Sequence, residues 1–187
     1  MTQKEPSPLC YYLIGKMILE TDRLLMREMR APDYPALCKI LQDEDAMYAY
    51  GGAFSDAETR KWFDAQINNY EALGFGLWAV VLKEAGEMIG QCGLTMQKYL
   101  DIKVLEVGYL FQKAYWGRGY AAEAAAACRD YAFQELNASE VFSIIRDTNT
   151  ASQNVAKRIG MTKIGTFTKH YRGIDMPHFL YSVRRPY

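Results

Sequence analysis

One stretch of the chain carries residue types and spacing from which chemistry can be built: Glu106-Val-Gly-Tyr-Leu-Phe-Gln-Lys-Ala-Tyr-Trp-Gly-Arg-Gly-Tyr-Ala121. A strand-like run ends there, two glycines make a turn, and an alanine-rich helix begins. The first amides of that helix, from Arg118 to Ala121, lack intrahelical partners and sit at the positive end of its dipole. Such a helix start is a phosphate cradle. Gly117 and Gly119 let the backbone approach an anion closely, Arg118 adds a charge, and the alanines at 121, 122 and 124 to 127 leave room beside the helix start. Two other phosphate loops are excluded. The chain has no G-x-x-x-x-G-K-[ST], and its G-x-G lacks the third glycine of G-x-G-x-x-G. Two glycines before a helix also serve as plain structural caps, so the neighbouring features decide.

Other candidates are weaker. His170 and His178 flank the last turn and are placed to face each other, but two histidines without a third ligand make a poor zinc site, so no metal is expected. Cys128 lies on the apolar side of the alanine-rich helix with no histidine nearby in sequence, and reads as a small core residue. Tyr48, Tyr50, Phe54, Trp62 and Phe63 form an aromatic cluster that suits either the core or the wall of a pocket.

These groups must be positioned by a chain of 187 residues, half of them hydrophobic, which fits one folded domain with its own core. Lys plus Arg and Asp plus Glu are each 22, and that balance argues against a nucleic-acid binder. Cys10, Cys38, Cys92 and Cys128 form no C-x-x-C pair and read as reduced thiols of a cytoplasmic protein. The apolar stretch Leu9 to Ile14 is too short to span a membrane.

Residues 1–16, with Pro6 and Pro8, read as a poorly structured extension, and the domain proper as 17–187. Ile18 to Met29 is expected to be a strand with a polar turn at Thr21-Asp22. Asp33 is expected to cap a first helix, and Ser55-Asp-Ala-Glu58 to start a second that Gly74 ends. Two β runs, Gly76 to Leu82 and Met88 to Thr95, make a hairpin. Val104 to Phe111 is the strand before the glycine turn, and the helix after it runs to about Leu136. A strand over 141–146, a short helix over 152–159 and two strands around 162–170 and 176–184 follow. Thr150-Ala-Ser-Gln153 reads as a capping box for the short helix. The class is α/β (α+β): a mixed twisted sheet of about seven strands with four helices.

Glu20-Thr-Asp-Arg-Leu, Ile89-Gly-Gln-Cys-Gly-Leu94, Glu106-Val-Gly-Tyr109, Trp116-Gly-Arg-Gly-Tyr-Ala121 and Asn149-Thr-Ala-Ser152 ahead of Lys157-Arg-Ile-Gly-Met161 occur in this order. Together they resemble the GNAT superfamily of acetyl-CoA-dependent N-acetyltransferases, in the branch of the ribosomal-protein N-terminal acetyltransferases, from Ile18 to Tyr187. The resemblance implies that Trp116, Gly117, Arg118, Gly119, Tyr120 and Ala121 bind the CoA pyrophosphate. It implies that Tyr109, Leu110 and Phe111 pair with the pantetheine arm, and that Asn149 and Ser152 lie near the pantetheine and thiol. Acetyl-CoA is then the co-substrate and a peptide N-terminus or small-molecule amine the acceptor, with transfer direct, in a ternary complex, without a metal, and a homodimer possible.

An ammonium has no lone pair, so a base must take its proton, and Glu106 is the candidate. Strand alternation puts it on one face with Gly108 and Leu110. The chain departs from the superfamily pattern twice. Ala156 stands where many members carry an acidic tyrosine, leaving Ser152 or solvent to protonate the thiolate. Ile164 stands where the ribosomal-protein branch often has an acid. The absent tyrosine also keeps open a second reading, an acyl-CoA-binding sensor without turnover.

Overall fold

The computed structural model describes residues 15–186. The expected extension therefore lies outside the described residues over 1–14, as does Cys10. The chain enters at Lys16, whose carbonyl accepts the Glu28 N–H at 3.0 Å.

The strands are β1 Met17–Glu20, β2 Leu24–Arg27, β3 Leu77–Leu82, β4 Glu87–Tyr99, β5 Ile102–Phe111, β6 Glu140–Arg146, β7 Thr162–Tyr171 and β8 Ile174–Arg184. The helices are α1 Tyr34–Leu41, α2 Glu44–Met47, α3 Asp56–Leu73, α4 Tyr120–Gln134 and α5 Thr150–Arg158. The eight strands form one sheet in the order β1-β2-β3-β4-β5-β6-β8-β7. Every neighbouring pair is antiparallel except β5 and β6, which run parallel.

The α+β class holds. Two more elements appear than the sequence pattern suggests. The strand expected over 18–29 is split at the Thr21-Asp22 turn into the β1–β2 hairpin, with Thr21 N–H bonded to the Leu24 carbonyl at 2.9 Å. Between α1 and α3 sits the one-turn helix α2, capped by Asp43, whose carboxylate accepts the Ala46 N–H. Four residues are too short a span for an apolar period to show.

Strand alternation sends side chains to two separate cores. Trp78, Val80, Cys92, Leu94 and Val107 face α4, meeting Ala124, Ala125, Cys128 and Ala132. Leu77, Ala79 and Leu110 face the other way, toward Leu37, Ile40 and Leu41 of α1 and Phe63 of α3. Strand β3, Leu-Trp-Ala-Val-Val-Leu, is buried along its whole length, which is why it reads as an unbroken apolar run. Cys128 belongs to the first core as expected. Its Sγ lies 3.5 Å from that of Cys92, so two thiols distant in sequence are neighbours in the fold.

The helix termini follow the sequence closely at α3. Ser55 and Glu58 form the reciprocal capping box, and Gly74, at φ 76°, closes the helix. At α1 the outcome differs. Asp33 occupies the cap position but makes no cap hydrogen bond. Its carboxylate is taken by Arg27 in a bidentate pair, Nη1 to Oδ2 at 2.6 Å and Nη2 to Oδ1 at 2.7 Å, and by the Arg30 N–H at 2.9 Å. Both residues are only 5% exposed. A charge-assisted fork outweighs a single cap bond, and it ties β2 to the start of α1. At α5 the expected Thr150–Gln153 box is replaced by Asn149, whose Oδ1 accepts the Ser152 N–H at 3.0 Å. Gln153 instead donates to the Asp147 carbonyl at 2.8 Å and accepts from the Tyr181 hydroxyl at 3.3 Å.

Because Arg27 would be left buried without its counter-charge, Asp33→Ala is expected to lower unfolding free energy by about 3–5 kcal/mol. Replacing both partners with apolar residues, Arg27→Met with Asp33→Leu, is expected to recover most of that loss. Urea titration of the two variants checks the pair.

Candidate active site

The sheet comes apart between β5 and β6. These strands share one paired position, Glu106 with Phe142, whereas β4 and β5 pair along ten positions from Gly90–Phe111 to Tyr99–Ile102. Side chains bridge the gap where backbone pairing stops. Ser143 Oγ donates to the Val107 carbonyl at 2.9 Å, and Glu106 Oε1 accepts the Ile144 N–H at 2.9 Å. The Val107 carbonyl faces β6, so by alternation the N–H and C=O of Tyr109 face the same side, toward the opening. That edge offers unpaired amide groups to an extended chain of amides.

A cavity of about 550 Å³ fills the opening. Glu106, Tyr109, Leu110, Asn149 and Ser152 all line it, so five of the residues singled out in the sequence are brought together. Glu106 sits at the fork itself. Its second oxygen accepts from Thr95 Oγ1 at 3.2 Å. Burial pushes its carboxyl above the ordinary carboxylate range, opposed by the Lys169 ammonium and by its two hydrogen-bond donors.

Tyr109 points to the opposite face of the sheet from Glu106. Its hydroxyl donates to the Ser152 carbonyl at 2.9 Å, and Ser152 Oγ donates back to the phenol oxygen at 3.0 Å. Burial raises the phenol's pKa, so it stays protonated at neutral pH. The sequence singled out Tyr109 for its backbone and missed its side chain. The signal was the strand alternation that places 109 opposite 106, toward the Asn149-x-x-Ser152 turn. Ala156, where many members of the superfamily carry a tyrosine, is fully buried in the α4-side core.

Beyond the end of β5, Trp116 to Ala121 form the glycine turn into α4, outside the cavity lining. Gly117 and Gly119 have φ of 74° and 83°, the left-handed region that favours glycine. A Cβ at Gly117 would meet nothing within 4 Å, so space stands open above the turn. Trp116 uses its indole N–H on the Phe111 carbonyl at 2.9 Å, and Phe111 itself is buried. Tyr120 is likewise buried, beneath the Arg23 guanidinium.

Arg23 was not singled out as a working residue. It donates to the Arg118 carbonyl at 3.0 Å and pairs with Glu123, which also accepts from Thr21 Oγ1 at 2.6 Å. The β1–β2 turn thus braces the glycine loop, and the Glu20-Thr-Asp-Arg-Leu run was its only trace in the sequence.

The aromatic cluster divides. Tyr50 and Trp62 line the cavity, Phe54 and Phe63 are core, and Tyr48 is exposed. Ile164 is 53% exposed on β7 and takes no part in the cavity. The histidines do not face each other. His178 is paired across the hairpin with Phe167, and His170 with Asp175, to which its Nδ1 bonds at 2.8 Å. His178 is buried at the cavity wall.

Residues 23–162 match the model of the acetyltransferase (GNAT) domain. The chain belongs to that family. It is 39% identical over 156 residues to protein YkkB of Bacillus subtilis, covering 83% of this chain and 91% of the relative. A solved acetyltransferase from Agrobacterium tumefaciens superposes with a TM-score of 0.75 at 31% identity, over 89% of this chain and 94% of that one. RimL, a ribosomal L7/L12 α-N-protein acetyltransferase solved with coenzyme A, shares the fold at a TM-score of 0.72 and 18% identity, over 90% of this chain and 98% of that one. At that identity it speaks for the fold alone. The family membership makes this GNAT enzyme an N-acetyltransferase with acetyl-CoA as co-substrate. Among the described residues no helix is long and apolar enough to cross a membrane.

The open glycine turn and the amide-lined edge of β5 suit a ligand with a phosphate at one end and an amide-bearing arm at the other. Gly117→Asp and Gly117→Asn separate charge from backbone strain, because both side chains tolerate the left-handed conformation. The aspartate is expected to weaken acetyl-CoA binding by about tenfold or more, as calorimetry would read it, and the asparagine by much less.

Proposed function

We propose that this GNAT enzyme passes the acetyl group of acetyl-CoA directly to a primary amine, both substrates being bound at once in the fork between β5 and β6. The observation that carries this reading is a half-buried carboxylate and a hydroxyl pair meeting from opposite faces of the sheet in one cavity. Acetyl-CoA supplies the thioester, its pyrophosphate on the 116–121 turn and its arm along Tyr109 to Phe111, near Asn149 and Ser152.

In this reading Glu106 is the base that makes the acceptor nitrogen nucleophilic, directly or through a water. Its two hydrogen bonds, from Ile144 N–H and Thr95 Oγ1, fix the carboxylate without neutralising it. The raised pKa makes it a better proton acceptor than an exposed glutamate. The Tyr109 N–H, facing the opening, is placed to polarise the thioester carbonyl. Ser152, in mutual hydrogen bonding with the protonated Tyr109 phenol, is the nearest proton source for the departing thiolate. In this reading the phenol that the superfamily often draws from the helix after β6 is brought instead by Tyr109 of β5, which argues against a sensor without turnover. The acceptor approaches from the α1–α3 side, past Tyr50 and Trp62.

Glu106→Gln keeps an oxygen for the Ile144 N–H while removing the base. Turnover is expected to fall about a hundredfold at neutral pH. In the parent enzyme the acid limb of kcat/KM follows deprotonation of Glu106, so activity rises with pH through its raised pKa. In the variant that limb disappears, and the rate tracks the neutral fraction of the acceptor amine, so the deficit is deepest at low pH. Thiol release from acetyl-CoA between about pH 6 and 9 reads the difference. Parallel pH profiles for the two enzymes would remove Glu106 from the role of base.

A further inference from the structure

The cavity wall on the acceptor side carries more positive than negative charge, two cations against one carboxylate. Its charged side chains are Glu106, Arg146 and Lys169, with His178 beside them. Arg146 on β6 is half-buried. One of its terminal nitrogens, Nη1, donates to the Tyr48 carbonyl at 2.6 Å, while its buried Nε has no partner among the described residues. Lys169 on β7 is also half-buried and makes no ion pair or hydrogen bond among them. By contrast Arg23, Arg27 and Arg172 each pair with a carboxylate within 3.0 Å. Two half-buried cations without an ion pair, set in one substrate cavity, favour an anion there.

Strand pairing puts both cations on the Glu106 face. Arg146 is opposite His178, which is opposite Phe167, two residues before Lys169. Phe142, the partner of Glu106, lies four residues before Arg146 on β6, a backbone offset of about 13 Å. A small molecule with side chains reaching toward it spans such a distance. Glu106 attracts Lys169 without forming an ion pair with it, and one carboxylate cannot balance two cations. Nor does His178 supply a counter-charge. Its Nδ1 bonds the Met176 carbonyl at 2.8 Å, and burial together with Lys169 and Arg146 holds its pKa below the usual imidazole value.

We infer that the acceptor is a small amine carrying an oxyanion, a carboxylate or phosphate, in the same molecule, with its amine at Glu106 and its anion on Arg146 and Lys169. The inference rests on the transferase reading above and narrows its substrate class. A polyamine would meet net positive charge and is disfavoured, and a peptide N-terminus lacks the nearby anion.

The test measures thiol release from acetyl-CoA with matched acceptors: L-amino acids, their carboxamides, aminoalkylphosphonates, spermidine, and a short peptide with an amidated C-terminus. Acids or phosphonates are expected to exceed carboxamides by about tenfold or more in kcat/KM, the scale of a charge-assisted contact. Whichever of the two leads identifies the oxyanion. In Lys169→Met that preference is expected to shrink to about threefold or less, through KM rather than kcat. Carboxamides, spermidine or the amidated peptide used as well as the acids would overturn the oxyanion inference and leave the transferase intact. Thiol release with no member of the panel would overturn both.

Discussion

The molecule is organised around a sheet that is made to fail at one place. Two parallel neighbours, β5 and β6, share a single paired position, and past it their facing N–H and C=O groups have no main-chain partners. Open backbone inside a protein is costly unless something satisfies it. Here the first groups past the fork are met by side chains, with Glu106 accepting from Ile144 and Ser143 donating to Val107. In the proposed reading the remainder are left for the amide-bearing arm of acetyl-CoA. The fork is held open because the strands on each side are anchored elsewhere, β5 by its long ladder with β4 and β6 by its full pairing with β8.

That split has a chemical consequence. In an intact sheet the side chains of residues 106 and 109 would serve different cores and never share a space. At the fork the two faces communicate, so a carboxylate from the α1–α3 side and a phenol with its serine partner from the α4–α5 side border one cavity. The burial that drives these two pKa values upward comes from the same packing. In the proposed mechanism the acid and the base therefore need no shared element. They need only a strand whose alternation sends them apart and a gap that lets them meet.

What the sequence disclosed follows from how local each feature is. The Ser55–Glu58 box, the Gly74 stop, the β3–β4 hairpin and the glycine turn before α4 are set by residues within a few positions of one another, and all stand where the pattern put them. Glu106, Asn149 and Ser152 were also legible, because strand alternation and a motif sufficed to name them. The misreadings share a cause. Asp33 was taken for a cap because the bond it makes, to Arg27, depends on β2 turning back beside α1. The Thr150–Gln153 box gave way because Gln153 has partners in the Asp147 carbonyl and in Tyr181 on β8. Arg23 and Glu123, a hundred positions apart, meet only once the sheet has formed. The ledger of helices missed α2 for the simpler reason that one turn has no period.

The distribution of charge extends the same reasoning. A chain with equal numbers of acids and bases gives no hint of its ligand from composition, and the exclusion of nucleic acid was all that balance could offer. In the structure the guanidiniums at Arg23, Arg27 and Arg172 are each matched by a carboxylate. Many other cations also lack an ion pair, but Arg146 and Lys169 are half-buried and line the fork rather than a solvated surface, where an unpaired cation costs little. In the inference drawn above, the electrostatics of this cavity are completed by what it binds.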